Sequence, residues 1–166
     1  NTSAFLKFPR MHLNAVRIGS GFTGRISVNV PIGLKKIGYL ESKVAEIKIV
    51  PKGFNIGYSN AFVTKRETKL AIIPAGYMNG INIEVGRDMY RVRDKLRYIS
   101  RDVKDLFKQN KKIVKINNQS CELLGRIGTY HVVADITEKD IKVNDNVLFN
   151  VSLKYVDSSI TRKWIN

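Results

Sequence analysis

Apolar and polar residues alternate along two stretches of the chain with the period of two that half-buried β-strands show. In residues 40–80, the segment SKVAEIKIV alternates, PKGFNIG is rich in turn formers, and KLAIIPAGY is an apolar run that ends at a glycine. In residues 113–156 the pattern returns in KIVKI, CELLGRIG, HVVADIT and NVLFNVSL. Short strands separated by Gly, Asn and Asp turns predict a mainly β fold, a Greek-key-like β-barrel or sandwich.

A different pattern separates the two β stretches. Within residues 87–112, apolar residues recur every three or four positions and so share one face of a helix: Val92, Leu96, Ile99, Val103 and Leu106. The opposite face is charged. We favour an inserted amphipathic helix that packs on the barrel of its own chain; the alternative is a basic helix that binds an acidic partner or a membrane surface. Four aspartates in the segment weaken the membrane alternative.

The composition is that of a folded protein with a basic surface. Hydrophobic residues make up 43% of the 166 residues, and the formal net charge at pH 7 is +15. The basic residues are dispersed and no stacking aromatics are interleaved with them, so we favour an ordinary basic surface over a nucleic-acid-binding one. A nucleic-acid-binding barrel remains an alternative, and it predicts a strongly salt-dependent affinity.

The cysteine and histidine residues and the length of the apolar runs indicate the cellular location of the protein and argue against a metal site and a membrane segment. Cys121 is the only cysteine, so no internal disulfide can form and a reducing, cytoplasmic location is expected. His12 and His131 stand apart, without Cys or carboxylate partners at ligand spacing, which argues against a metal site. No apolar run approaches the roughly 20 residues that cross a bilayer, so no membrane segment is expected in this sequence.

Tyr58 lies in the segment NIGYSNAF, between Gly57 and the pair Ser59-Asn60. Gly, Ser and Asn are turn formers, so we expect the backbone to bend here and to present the ring rather than bury it. The residues alone leave two interpretations open: Tyr58 is a surface aromatic, or it is held out to take part in chemistry.

Several motifs, in one order along the chain, resemble those of the alanine racemase family. KIVPKGFNIGYSNAFVTKRETKLAIIPAGYMNG is similar to the family's G-Y-G-x-T-F-like and P-x-G-Y-x-D-G elements. GRIGTYHVVADIT and IKVNDNVLF are similar to its G-R-x-C-M-D-Q, V-D-V-T and K-V-G-D-x-V-x-L order. Upstream, NTSAFLKFPRMHLNAVRIGSGFTG resembles the N-S-A and V-R-x-G-I-x-x-Y-G end of its (β/α)8 barrel.

The resemblance implies a division of the chain into two parts. Residues 1–39 would be the terminal part of the cofactor-binding (β/α)8 barrel, an α/β barrel. Residues 40–166 would be the racemase C-terminal β-domain, with the helical insertion at about 87–112. No segment resembles the family's lysine motif, V-K-A-N-A-Y-G, or its earlier barrel strands, so the sequence matches a piece of such a protein.

The chemistry that the resemblance implies needs a base on each side of the substrate. In this family pyridoxal 5'-phosphate acts as an electron sink for the racemisation of an amino acid. A proton leaves one face of the substrate and returns on the other, so the cofactor-bearing lysine and a tyrosine flank it. That tyrosine falls on Tyr58, which is thereby predicted to be catalytic. A phenol acts as a base at neutral pH only with help from positive charge or hydrogen bonds.

The resemblance also assigns residues that bind the cofactor. Arg17, in AVRIG, matches the arginine that the family places against the pyridine nitrogen, where a permanently protonated guanidinium donates. Thr2, Gly19 and Ser20 match the residues that grip the phosphate with a hydroxyl and backbone amides.

Substrate-binding residues follow in the same way, and here the sequence departs from the family. Tyr77, in PAGYMNG, matches a substrate-entry tyrosine, with a barrel-packing aromatic as the alternative. Thr129 stands for the Met of the substrate-lining C-M-D-Q motif, Tyr130 for its acidic residue, and Asn79 for the usual Asp of the Tyr77 motif. Thr161 is the nearest match to a C-terminal tyrosine that reaches the phosphate.

Together these features predict part of a pyridoxal-phosphate-dependent racemase that acts on a small-molecule amino acid. The resemblance implies alanine or serine as the substrate, the latter as in the racemases of vancomycin resistance. The family's homodimer is head-to-tail and brings the tyrosine of one subunit to the cofactor of the other, so this piece alone is expected to be inactive. The alternative is a non-catalytic binding or dimerisation module derived from the same fold.

Overall fold

The computed structural model describes residues 1–26, 28–83, 92, 96, 99–100, 103 and 111–164, which form two compact units, Asn1–Tyr39 and Leu40–Asn166. The first unit begins with helix α1 (Thr2–Lys7), followed by 3-10 turns at Pro9–Met11 and Ser20–Thr23. The Asn1 side chain caps α1 by accepting the N–H of Ala4 at 2.9 Å. The origin of this unit as the end of a (β/α)8 barrel stays a prediction.

The second unit consists mainly of β-strands, which confirms the predicted fold class. Its described part contains β1 (Leu40–Lys43), β2 (Glu46–Val50), β3 (Asn55–Ile56), β4 (Phe62–Val63), β5 (Thr68–Ile73), β6 (Ile113–Ile116), β7 (Gln119–Leu124), β8 (Val132–Asp135) and β9 (Asn146–Phe149). Seven of these strands form one antiparallel sheet in the order β1-β9-β6-β7-β8-β5-β2, and β3 pairs with β4 in a separate hairpin. Short 3-10 turns lie at Tyr58–Asn60, Tyr77–Asn79 and Leu153–Tyr155.

The large sheet is curled so that its two edges meet. β1 and β2 lie at opposite ends of the strand order, yet only Val44 and Ala45 separate them in the chain. Seven strands laid flat at about 4.8 Å spacing would hold the edges roughly 29 Å apart, a gap that two residues of about 3.3 Å each cannot cross. The N–H of Val44 donates to the carbonyl of Asp145, beside β9, whereas the N–H of Ala45 donates to Ile72 in β5. Residues 40–50 therefore act as one bent strand that closes the sheet.

Branched aliphatic side chains fill the inside of the curled sheet. β6 and β9 each bury every second residue, so Val114, Ile116, Val147 and Phe149 face the core. Val44, at the junction of the two edges, has no exposed surface. Full burial of such a side chain contributes about 1.5–3 kcal/mol. The core thus forms only when the junction brings the two edges together.

The predicted helical insertion at residues 87–112 lies mostly outside the described residues. Four positions of its apolar face are described, and all four are helical: Val92, Leu96, Ile99 and Val103. Their side chains are 72, 61, 59 and 47% exposed. Packing on the barrel of the same chain would bury them, so the arrangement favoured from the sequence is wrong at these four positions.

Across the described residues, none of the helices has the length and apolar character that a membrane crossing requires.

Asp145 holds the turn beside the junction of β1 and β2. Its carboxylate accepts the backbone N–H of Lys142 at 2.7 Å. This bond, together with one from the Asn117 side chain, holds the pKa of Asp145 below its ordinary value. A carboxyl group whose pKa is lower in the folded state stabilises the fold above its unfolded-state pKa. That contribution is lost as the pH falls through the folded-state pKa.

The substitution Asp145→Asn should therefore lower the free energy of unfolding at pH 7 and make its decline below about pH 4 less steep, because the amide carries no charge to titrate. Urea unfolding of the wild type and the variant between pH 7 and pH 2.5 measures both effects. Asp140→Asn removes the same charge from the same β8–β9 connection and is the control. An Asp145→Asn chain as stable at pH 7 as the wild type would contradict this role.

Candidate functional site

Tyr58 is presented to solvent by the tight turn between β3 and β4. Its side chain is 69% exposed, which confirms the predicted exposure of the ring. Around it, Gly57, Ser59 and Asn60 have φ angles of +79°, +60° and +49°. The left-handed region costs a non-glycine residue about 1–2 kcal/mol. Ser59 and Asn60 therefore both carry strain of this kind, in the segment that presents the ring.

The Tyr58 turn rests against the connection between β7 and β8, residues 125–131. A Cβ atom placed on Gly57 would lie 3.3 Å from the backbone nitrogen of Arg126. A Cβ placed on Gly125 would lie 2.6 Å from the carbonyl oxygen of Ile56. The neighbours are backbone atoms, which cannot rotate away, so the close approach at Gly125 requires glycine. The hairpin of β3 and β4 is thereby held at the start of this connection.

The middle of the same connection, at Gly128 and Thr129, holds the turn that carries Tyr77. The N–H groups of Tyr77 and Met78 donate to the carbonyl oxygens of Gly128 and Thr129 at 3.0 and 3.2 Å. The Thr129 hydroxyl also donates to the phenol oxygen of Tyr77 at 3.2 Å. The two residues predicted to bind substrate are thus in direct contact. Tyr77 is 47% exposed, which argues against the alternative of a barrel-packing aromatic.

Gly76 and Asn79 shape the Tyr77 turn. The Asn79 side-chain oxygen accepts the N–H of Gly76 at 2.9 Å, a bond that an Asp in this position would also make. A Cβ on Gly76 would lie 2.3 Å from the carbonyl oxygens of both Gly128 and Thr129. Its φ of −140° is ordinary extended backbone, so glycine is needed here for space and not for backbone conformation.

Three of the four residues predicted to bind the cofactor lie close together in the first unit. The Thr2 hydroxyl oxygen accepts the N–H groups of Gly19 and Gly21 at 3.3 Å each, with Ser20 between them. A Cβ on Gly21 would lie 2.9 Å from the Thr2 methyl carbon. Both N–H groups are bonded to the Thr2 oxygen, so a phosphate would have to replace that oxygen as their acceptor, whereas a hydroxyl that accepts two bonds still has its own proton to donate. Arg17 is exposed two residues before Gly19.

Sequence reasoning missed the support that the connection 125–131 gives to both tyrosine turns. The signal was present in Gly76, Gly125 and Gly128, because isolated glycines next to apolar runs indicate a close approach of backbones. In the described part of the chain, His, Cys, Asp and Glu side chains form no group of three or more that could hold a metal ion.

Comparison with known proteins gives one consistent result. The family model of the alanine racemase C-terminal domain matches residues 37–161. An alanine racemase of Desulfovibrio desulfuricans is 35% identical over 83 residues, which are 48% of this chain and 22% of that protein. A lysine racemase of Proteus mirabilis is 31% identical over 150 residues, which are 90% of this chain and 31% of that protein. The chain therefore spans less than a third of the length of these two relatives.

A solved structure shows the same fold. The alanine racemase of Clostridium difficile superposes with a TM-score of 0.65 at 24% sequence identity, over 94% of this chain and 36% of that one.

The substitution Gly76→Ala should release the Tyr77 turn from the connection 125–131. The added methyl group would collide with two backbone carbonyl oxygens, so the hydrogen bonds of the Tyr77 and Met78 N–H groups must break or lengthen. Hydrogen exchange measured by NMR should show faster exchange of these two amides.

Gly53→Ala is the control for this substitution, because a Cβ on Gly53 would meet nothing within 4 Å although its φ is +85°. It should cost about 1 kcal/mol of backbone strain and leave exchange at the Tyr77 turn unaffected. Unchanged exchange in Gly76→Ala would show that the turn does not depend on this close approach.

Proposed function

The chain belongs to the alanine racemase family, and from this membership we propose that it forms part of a pyridoxal-phosphate-dependent amino-acid racemase. Two of its relatives are named as racemases of alanine and of lysine. The proposed substrate is therefore a free amino acid, and the candidates are alanine and serine. The observation that carries the proposal is the exposed phenol of Tyr58, on a strained turn, at the position that matches the family's catalytic tyrosine.

The proposed role of Tyr58 is to move a proton at the Cα atom of the substrate. Racemisation needs a group on each face of that carbon, one that removes the proton and one that returns it. A ring that is 69% exposed adds little to the core. Its turn is nevertheless held in place by the contact of Gly57 with Arg126 and of Gly125 with Ile56. A fixed, accessible phenol is what proton transfer at a defined atom requires.

The cofactor role falls to the first unit. Pyridoxal phosphate is the family's cofactor, and when bound it withdraws electrons from Cα so that the proton there becomes acidic enough to move. Thr2, Gly19 and Ser20 would hold its phosphate through a hydroxyl and backbone N–H groups, and the Gly19 N–H, which here donates to the Thr2 oxygen, would turn to the phosphate. Arg17 would donate to the ring nitrogen through its guanidinium, which has N–H donors and no acceptor. The lysine motif of the family has no match in these 166 residues.

Two copies of the protein are proposed to share each active site. The exposure of Tyr58 supports this arrangement, because its phenol is open to a group supplied from outside the second unit. In a head-to-tail homodimer, Tyr58 of one subunit would serve the cofactor of the other. The net charge of +15 would also draw the carboxylate of the substrate and the cofactor phosphate towards the protein.

A second candidate is a non-catalytic binding or dimerisation module. The observation that favours it is the exposed apolar surface at Val92, Leu96, Ile99 and Val103, which an enzyme of this chemistry does not need. A full-length protein that racemises no amino acid but binds a partner tightly through residues 87–112 would support this candidate over the racemase.

In the full-length protein loaded with pyridoxal phosphate, Tyr58→Phe should lower kcat for racemisation of L-alanine or L-serine by about 10²–10⁴-fold. Phenylalanine keeps the ring and loses only the hydroxyl, so cofactor loading, measured by absorbance, should not change. Loss of optical rotation measures the rate. Tyr39→Phe is the control, because Tyr39 is 55% exposed and lies outside the predicted site. Wild-type activity in Tyr58→Phe would contradict the assigned role.

A further inference from the structure

The contact between Thr129 and Tyr77 is a polar pair at the surface. The Thr129 hydroxyl donates to the phenol oxygen of Tyr77 at 3.2 Å, and the phenol side chain is 47% exposed. In the family motif that this segment resembles, an apolar methionine stands at the position of Thr129. The chain thus carries two hydroxyl groups where the motif provides one hydroxyl and a thioether.

Backbone hydrogen bonds fix the positions of Tyr77 and Thr129 independently of the contact between their hydroxyl groups. The N–H groups of Tyr77 and Met78 are bonded to the carbonyls of Gly128 and Thr129, and Gly76 packs directly against those two carbonyls. Threonine is branched at Cβ and has few rotamers. The hydroxyl pair is therefore preorganised, and little conformational entropy is lost when a ligand binds to it.

Two hydroxyl groups that share one hydrogen bond keep one proton to donate to a third group. A phenol that accepts a bond from Thr129 still has its own proton to donate, and a threonine hydroxyl that donates still has lone pairs to accept. Both atoms lie at an exposed contact. A substrate hydroxyl can accept from Tyr77 and donate to Thr129, whereas a methyl group would displace water from both and replace neither bond.

We propose that Thr129, acting with Tyr77, makes the site selective for an amino acid with a hydroxyl in its side chain, serine being the smallest, over alanine. This inference rests on the proposed racemase function and on the match of both residues to substrate-binding positions. A site built to bond a substrate hydroxyl discriminates against an analogue that lacks it, because its own polar groups are then left unpaired.

The test compares L-serine and L-alanine as substrates of the full-length protein loaded with pyridoxal phosphate. The wild type should have a kcat/KM for L-serine at least equal to that for L-alanine. Thr129→Val replaces the hydroxyl with a methyl group of the same shape and should lower the serine-to-alanine ratio of kcat/KM about five- to tenfold. Thr129→Ser keeps the hydroxyl and should restore the ratio. The loss should lie mainly in KM if the bond forms in the ground state and persists in the transition state.

A double-mutant cycle shows whether the two hydroxyls act together. Tyr77→Phe should lower the same ratio, and Thr129→Val with Tyr77→Phe should lower it by less than the product of the single effects, because the residues share one interaction. Thermal unfolding midpoints of all variants identify any loss that comes from instability.

Two results would overturn the inference while the proposed function stands: a wild type that racemises alanine but not serine, or a Thr129→Val variant with an unchanged ratio. A wild type that racemises no amino acid would overturn the proposed function and, with it, this inference.

Discussion

The two-residue junction at Val44 and Ala45 closes the large sheet of the second unit. It forces strands at opposite edges of a seven-stranded sheet to lie next to each other, and it does so by sharing one bent strand between β9 and β5. The fully buried Val44 and the turn at Asp145 secure this point. Without the junction the sheet would stay open and its aliphatic inner face would be exposed to water.

The closed sheet also determines where the two tyrosine turns lie. β8 pairs with β5 on one side and β7 on the other, both antiparallel, so Ile73 and Leu124 lie beside the start of β8. The Tyr77 turn, which follows β5, and the connection 125–131, which follows β7, therefore emerge at the same end of the sheet. Glycines then allow the backbones to touch. One connection thus supports the proposed catalytic turn at its beginning and the proposed substrate turn in its middle.

Local features of the fold could be predicted from the sequence, and long-range ones could not. Alternation predicted the strands, and the turn formers around Tyr58 predicted its exposed ring, because both depend on residues close together in the chain. The alternation in SKVAEIKIV predicted a strand. It did not predict that the two halves of this strand lie at opposite edges of the sheet, because alternation does not show which strands are neighbours. In the same way, the spacing of Val92, Leu96, Ile99 and Val103 predicted a shared helical face but not what that face contacts.

The candidate site followed from the resemblance more than from physical patterns. Gly19 and Gly21 lie 17 and 19 positions after Thr2 in the chain. Their contacts with Thr2 depend on the fold, which the spacing of residues does not encode. Tyr77 and Thr129, separated by 52 positions, were both assigned to the substrate from motifs, and their hydrogen bond emerged only in three dimensions. The residues around Tyr58 alone did not decide whether it is a surface aromatic or a catalytic group.

Hydrogen exchange at Cα of the substrate shows whether Tyr58 moves the proton on one face of that carbon. The full-length Tyr58→Phe protein, loaded with pyridoxal phosphate, is incubated in D2O with each enantiomer of the substrate separately, and loss of the Cα proton is followed by NMR. Because the base on the opposite face is intact, exchange should persist for one enantiomer and fall by about 10²-fold or more for the other. Equal exchange of both enantiomers, whether retained or lost, would contradict the assignment of Tyr58 to one face.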